Sequence, residues 1–360
     1  MTADSQFYLK PAGLMTGTAA ANACAEGAAA RLGGGPVAFN AAEVIRRNGV
    51  ARDVVAGGLS ALRSGRLRDD ADLSAAIEER LHAITAARPP LAGLTLDRPR
   101  LMGVVNVTPD SFSDGGRYAS CDAAIAHGRA LMAAGADILD IGGESTRPGA
   151  AQVSPDEELA RVVPVIEALV GEGALVSIDT RRAAVMRAAL AAGAHIVNDV
   201  TALAGDPESL PIVAQSAAAV VLMHMQGEPR TMQQDPTYRD APLDIYDFFA
   251  ERIAACAAAG IAPARLALDP GIGFGKRDPH NLAILADLAL YHGLGCVLLL
   301  GVSRKSFIGR LSRGEDAAHR LGGSLAAALA GLDRGVQILR VHDVAETAQA
   351  IAIWQAIAGV

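Results

Sequence analysis

The residues best suited to chemistry in this chain stand at the ends of short apolar runs. From position 101 onward, Asn106, Asp140, Asp179, Asn198 with Asp199, His224, Asp269, Arg304 with Lys305, and Arg340 with His342 each close such a run. Any one of them is as readily a satisfied structural hydrogen bond as a ligand. All of them being structural would bury more charge than unpaired groups tolerate. They divide by type. Asn106, Arg147, Arg340 and His342 assemble into an anion subsite: guanidinium forks match phosphate oxygens in pairs, and two forks with an imidazole donor suit a diphosphate better than a lone carboxylate. Asp179, Asn198, Asp269 and Lys305 mix acceptors with a donor, as reading the edge of a nitrogen heterocycle requires. Carboxylates take ring N–H and amino hydrogens, and a lysine gives one to a ring carbonyl. Residues 269–276, Asp-Pro-Gly-Ile-Gly-Phe-Gly-Lys, have the glycine spacing of a phosphate loop. They satisfy neither the Gly-x4-Gly-Lys-Ser/Thr pattern nor the dinucleotide fingerprint, so nucleotide binding is not expected there. No Ser/His/Asp or Cys/His spacing suggests a protein nucleophile.

These residues need elements to aim them. The runs 101–107, 138–142, 175–179, 196–200, 220–225, 266–269, 297–302 and 338–342 are continuously apolar, which fits parallel strands covered on both faces. Ala/Leu-rich stretches between and after them predict helices at 122–134, 156–170, 181–192, 207–216, 243–259, 279–291, 317–332 and 345–357. Several of these stretches end in Gly, the usual left-handed cap. Eight strands each followed by a helix close most simply into a (β/α)8 TIM barrel, with an open doubly wound sheet as the alternative. In such a barrel the site lies at the C-terminal ends of the strands. Two connections there, 108–120 and 143–154, are rich in Gly, Ser and Thr and carry Phe112, Asp114 and Arg147, a composition suited to lids over a polar, ring-containing substrate.

Residues 1–90 read as a small mixed α/β N-terminal extension, and 91–360 as the barrel domain. The extension shows a helical stretch at 17–30, a short strand at 36–39 and a helix at 71–87, and Arg88-Pro89-Pro90 marks its end. Residues 94–96 are expected to form a short strand plugging the bottom of the barrel. The extension carries no catalytic motif.

Composition narrows the function classes. The net charge of −7 gives no reason to expect nucleic-acid binding, so any anion site rests on a few local cations. Hydrophobic residues make up 51% of the chain, yet Gly, His, Asp or Arg interrupts each apolar run well short of the ~20 residues of a membrane span. The opening Met1-Thr2-Ala3-Asp4-Ser5 shows no export or organelle signal, which leads to a cytoplasmic expectation. Cys24, Cys121, Cys256 and Cys296 are scattered, which argues against both a zinc site and a disulfide framework.

With these residues and their order in view, the sequence resembles the dihydropteroate synthase family of pterin-binding enzymes. The resemblance runs from position 94 to the end through NVTPDSFSDGG (106–116), DIGGESTRPGA (140–150), SIDT (177–180), HIVND (195–199), LMHMQG (222–227), LDPGIGFGK (268–276), GVSRKS (301–306) and RVHD (340–343). It implies a transferase of folate biosynthesis that joins (7,8-dihydropterin-6-yl)methyl diphosphate to p-aminobenzoate, giving 7,8-dihydropteroate and diphosphate. It further implies a Mg2+ cofactor at the diphosphate held by Asn106 and Asp114, and Thr146, Arg340 and His342 on the same group. Asp179, Asn198, Asp269 and Lys305 would bind the pterin, with Met223 packed on its ring. Phe112, Asp114, Arg147 and Pro148 would close over the site, and Phe274 and Ser306 would hold p-aminobenzoate. Asp179, Lys305, Arg340 and His342 would carry the catalysis. His224 is expected to be structural. The family also implies a homodimer and a sulfonamide target. Two rivals remain: the pterin-binding barrel of folate- and corrinoid-dependent methyltransferases, which has no use for a diphosphate subsite, and a non-catalytic pterin-binding homologue. The extension lies beyond the family core.

Overall fold

The computed structural model describes residues 7–48, 51–63, 71–107, 117–144, 153–227 and 231–359. Its N-terminal part consists of β1 (Phe7–Met15), α1 (Gly17–Ala25), β2 (Ala30–Arg31), β3 (Ala38–Asn48), β4 (Ala51–Gly58), α2 (Leu59–Arg63) and α3 (Ala71–Thr85). In the antiparallel sheet β3 is central: β1 lies along one edge, while β2 and β4 share the other. The strand expected at 36–39 is therefore only the start of an 11-residue strand. Its length was hidden because both faces are covered. Phe39 and Val44 pack with Leu62, Ile77 and Leu81, whereas Ala38 faces Ala20 and Ile45 joins the main core, so no period-2 alternation survives. The helix expected over 17–30 stops at Ala25, and Gly27 follows with φ +73°.

The barrel strands are β5 (Arg100–Asn106), β6 (Ile138–Gly142), β7 (Val176–Asp179), β8 (Ile196–Asp199), β9 (Ala219–Met223), β10 (Leu266–Asp269), β11 (Val297–Leu300) and β12 (Ile338–Val341). Each pairs in parallel with its neighbour in sequence, and β12 closes onto β5, so the open-sheet alternative is excluded. The outer layer holds α4 (Arg117–Ala133), α5 (Pro155–Gly171), α6 (Ala183–Ala191), α7 (Ser209–Ala214), α8 (Ala241–Ala258), α9 (Asp278–Ala286), α10 (Ser306–Leu311), α11 (Leu321–Leu332) and α12 (Val344–Ala358). Three expectations need correction. The helix predicted for 279–291 ends at Ala286 and continues as a 3-10 turn, Leu288–Leu294. At the break, the Asp287 carboxylate takes Lys10 at 3.1 Å and Arg52 at 2.7 Å, so docking of the extension overrides helical continuation. The helix predicted for 317–332 opens with a separate 3-10 turn, Ala317–His319, and the six-residue α10 was not anticipated.

The bottom plug is a tight turn rather than a strand. Leu91 and Leu94 exchange both backbone hydrogen bonds, at 3.0 and 2.9 Å, around Ala92 (φ +48°) and Gly93 (φ +80°). Positive φ at both central residues is the type I′ geometry. Leu91 packs with Met102, Ile138 and Ile338 inside the strand ring, and Leu94 and Leu96 lie against the same cluster.

Arg88 fastens the extension to the barrel. Its buried guanidinium donates to Ala83 O at 2.8 Å and Ala86 O at 3.1 Å, past the carbonyl end of α3, and to His292 O at 3.1 Å. Burial lowers its pKa to about 10. Arg88→Ala strands these carbonyls, at ~1–3 kcal/mol each, while relieving the cost of burying the cation. A loss of about 3 kcal/mol is expected, read as a lower urea midpoint with unchanged slope.

Candidate active site

The strand ends meet at one mouth, and a single guanidinium links three of them directly and a fourth through a carboxylate. Asp140 on β6 is fully buried. Its Oδ2 accepts from Arg340 Nε at 2.6 Å and from Asn198 Nδ2 at 3.0 Å. Arg340 Nη2 donates to Asp179 Oδ2 at 2.7 Å. Arg340 of the anion group and Asp179 and Asn198 of the heterocycle group thus share one connected network. Asp140, counted among the polar strand ends but given no role, is its hub. With Asn198 Nδ2 committed to Asp140, the Asn198 carbonyl is left as an acceptor. Asp140 Oδ1 is buried without a hydrogen-bond partner among the described residues.

Burial pushes Asp179 up to about 7, with Arg340 pulling it down and Asp140 pushing it further up. Burial raises Asp269 as well, opposed by the Gly271 N–H that donates to its Oδ1 at 2.8 Å and by Lys305, Arg340 and Lys276. Two glycines lie beside the site residues. A Cβ on Gly142 would stand 3.8 Å from Asp179 Oδ2 and 3.9 Å from Asn106 Oδ1, and one on Gly301 would stand 3.6 Å from Asp269 Oδ2. Asn106, exposed at the end of β5, therefore borders Asp179. Met223 is buried at the end of β9, with its Cα in register with that of Asp269.

The connection after β11 aims Lys305. Arg304 holds φ +59°, rare for a residue with a side chain. Ser324 Oγ accepts its N–H at 2.9 Å, Arg320 donates to its carbonyl at 3.0 Å, and its guanidinium is committed to Asp343. Arg304 is thus a clamp between the β11 and β12 connections rather than a ligand. The next residue places its ammonium 4.0 Å from the centroid of the Phe274 ring, a cation–π contact. Ser306 is exposed at the first position of α10.

His342 reaches Ser303 Oγ through its ring Nδ1 at 3.0 Å and through its backbone N–H at 3.2 Å. The hydroxyl accepts from the backbone, and when it donates to Nδ1 the imidazole hydrogen stands on Nε2. Burial, then Arg340 and Arg304, lowers its pKa to about 4. His342 is therefore a neutral donor in the working range. An unfolded-chain imidazole titrates near about 6.5. The associated stability is thus intact above that value and is lost as pH falls from it towards 4, where the folded state also binds the proton. Its ring 15N shifts should keep the neutral Nε2–H pattern from about pH 7.5 down to about pH 5.5, and a titration near about 6.5 would contradict this environment.

The remaining strand-end groups are structural. Asp199 accepts from Thr201 N, Thr201 Oγ1 and Leu203 N at 2.7 to 2.9 Å and shapes its own turn. His224 meets Phe248 edge-on at 4.8 Å and holds the buried Lys276 amine through Nδ1 at 3.0 Å and its carbonyl at 3.1 Å. Lys276, which sequence reasoning left without a role, also donates to Phe274 O at 2.9 Å and so fixes the segment that presents the Phe274 ring. Burial holds its ammonium well below the usual lysine range. Gly271 (φ +65°) must be glycine, since a Cβ there would stand 2.1 Å from His224 O. A cavity of about 670 Å3 opens between 153–155, 181–182 and 201–207, on the connections that follow β7 and β8; Arg182 there is tied to Glu144 and Glu158. Phe112, Asp114, Thr146, Arg147 and Pro148 lie outside the described residues. Among the described residues no cluster of three His, Cys, Asp or Glu forms a metal cage. Asn106 nevertheless offers a neutral oxygen at the mouth, which suits a hard cation held mainly by substrate phosphates.

The family model for pterin-binding enzymes matches residues 102–342. The dihydropteroate synthase of Neisseria meningitidis serogroup B is 52% identical over 268 residues, 73% of this chain and 94% of that one. The chain belongs to the dihydropteroate synthase family. Two solved synthases of this family, both from Xanthomonas albilineans, superpose on it. The structure with 4-aminobenzoic acid has a TM-score of 0.72 at 51% identity, covering 76% of this chain and all of that one (100%). The complex with 7,8-dihydropteroate has a TM-score of 0.68 at 49% identity, covering 74% and 96%. These synthases are matched almost end to end, whereas about a quarter of this chain lies outside the match.

Proposed function

We propose that the protein is a dihydropteroate synthase, condensing (7,8-dihydropterin-6-yl)methyl diphosphate with p-aminobenzoate to give 7,8-dihydropteroate and diphosphate. The observation that carries this reading is the Asp140–Arg340–Asp179–Asn198 network with Asp269 and Lys305 at the mouth of a barrel of this family. Its acceptors, the Asn198 carbonyl, the second oxygen of Asp140 and the Asp269 carboxyl, match the amino and ring N–H groups of a pterin. Lys305 supplies the donor for the ring carbonyl, and Met223 offers an apolar face.

The bond that breaks joins the pterin methylene carbon to the diphosphate oxygen, and the bond that forms joins that carbon to the aryl amine nitrogen, which then loses its proton. Arg340 and the neutral His342 Nε2–H lie where the leaving group gathers charge; one well-placed donor of this kind contributes ~3 kcal/mol. Asn106 and Asp114 would hold a Mg2+ ion at the diphosphate, which would supply further charge neutralisation there when bound. Asp179, next to the developing cation, favours an ionisation-first path. No protein nucleophile is then needed.

The test is p-aminobenzoate-dependent diphosphate release from the authentic pterin diphosphate with magnesium, with sulfonamide competition in support. No release would end the synthase reading and favour a non-catalytic pterin binder. We further infer a cytoplasmic homodimer, checked by light scattering. Among the described residues no helix is long and apolar enough to cross a membrane.

A further inference from the structure

The extension touches the barrel at the start of α8, and two of its arginines end there on acids that order the preceding connection. Arg52 forks onto Asp240, Nε to Oδ2 at 2.5 Å and Nη2 to Oδ1 at 2.6 Å. Arg47 reaches Asp244 at 2.9 Å. Asp240 caps α8 by accepting from Leu243 N at 3.3 Å, and Asp244 accepts from the Arg239 and Asp240 N–H groups at 2.9 and 3.1 Å. The backbone from 239 to 243 is thus fixed from the extension.

Upstream of that point, residues 231–238 lie along the connection that carries Phe274. Tyr238 donates to Gly275 O at 2.7 Å and packs edge-on against His280 at 4.8 Å. Gln233 donates to Gly273 O at 2.5 Å. Thr237 exchanges two hydrogen bonds with Gln226, at 2.8 and 3.0 Å. The carbonyls on both sides of Phe274 are therefore held by this segment, and Phe274 carries Lys305 over its ring. Polar contacts joined by the chain at 238–240 lead from β4 to the face of the site assigned to p-aminobenzoate.

We propose that Arg52 is a positioning residue for p-aminobenzoate, acting through Asp240 and the 231–240 segment on Phe274; the proposal rests on the synthase reading. A two-pronged guanidinium–carboxylate contact fixes direction as well as distance, which separates it from an exposed surface ion pair. The extension is then part of the working enzyme, although all of the chemistry sits in the barrel.

The test is steady-state kinetics on the full chain. Arg52→Ala should raise KM for p-aminobenzoate about tenfold, while kcat and KM for the pterin diphosphate stay within about twofold. Asp240→Asn keeps the helix cap but removes the charge partner, so it should reproduce the effect, and the double variant should be no worse than either single one. Arg52→Lys, which keeps the charge without the fork, should fall between, and together with Asp240→Asn it carries the test if the alanine variant fails to fold. Tyr8→Phe removes a bond from the extension to α8 further along, at Asp247, and should leave KM unchanged. An unchanged KM in Arg52→Ala and Asp240→Asn, or an equal rise in Tyr8→Phe, overturns the proposal alone. Absence of diphosphate release from the unaltered enzyme overturns the synthase reading and the proposal with it.

Discussion

Arg340→Ala is expected to lower kcat by about 10²–10³ and to lower stability at the same time. The two effects share a cause. Arg340 neutralises Asp140 and Asp179 through Nε and Nη2, while its Nη1 makes no hydrogen bond among the described residues and is available to the leaving group. Without it, a fully buried carboxylate keeps only the Asn198 amide, and breaking such a buried pair costs ~3–5 kcal/mol. Arg340→Lys tests geometry against charge. An ammonium can sit beside one acid but cannot bridge two in a plane, so most of the loss should remain. The measurements are kcat with saturating substrates and a thermal midpoint. An alanine variant with near-normal kcat would remove Arg340 from the reaction.

Lys305→Ala has the second large effect, on binding. The ammonium lies over the Phe274 ring, and its charge also favours the ionised form of Asp269. Removing it deletes the donor assigned to the ring carbonyl, and a hydrogen bond from a charged donor is worth ~1.5–3 kcal/mol. Pterin affinity should fall by roughly 10- to 150-fold, with Asp269 rising further towards its neutral form. The fold should survive, since Lys305 is only half-buried. Calorimetric titration with a pterin reads the outcome, and unchanged affinity would move the heterocycle away from β10 and β11.

The barrel was legible because its strands carry a local signature. A parallel strand covered by helices on one side and by barrel filling on the other is apolar throughout, and each observed strand agrees within two residues at either end. The extension was not legible in that way. Strand β4 is largely exposed, including Val54 and Val55, and β3 is covered on both faces, so neither shows an amphipathic period. The strand expected at 94–96 rests on apolar residues that announce burial, whereas the turn at Leu91–Leu94 depends on two positive φ values that arise from the backbone alone.

Within the site, sequence order identified which residue types gather at the strand ends, and the family resemblance supplied their roles. It placed Asn198, and not the adjacent Asp199, in the heterocycle group, and the structure supplies the physical difference. One turns to Asp140 and the other caps its own turn. Arg304 and Lys305 divide in the same way: one is bound to Asp343 and the other lies over Phe274. Neighbouring side chains on a strand or turn leave in different directions, and partner geometry alone says which one faces the ligand.

The sequence by itself determined the alternation of strands and helices, the polar strand ends and the family to which they belong, because burial pattern and motif order are local properties of the chain. Only the tertiary structure decided that Arg340 joins Asp140 to Asp179, that Asp140 is the buried hub, and that Arg52 reaches Asp240. These contacts join residues 200, 161 and 188 positions apart, and such pairings exist only once the ring of strands has closed.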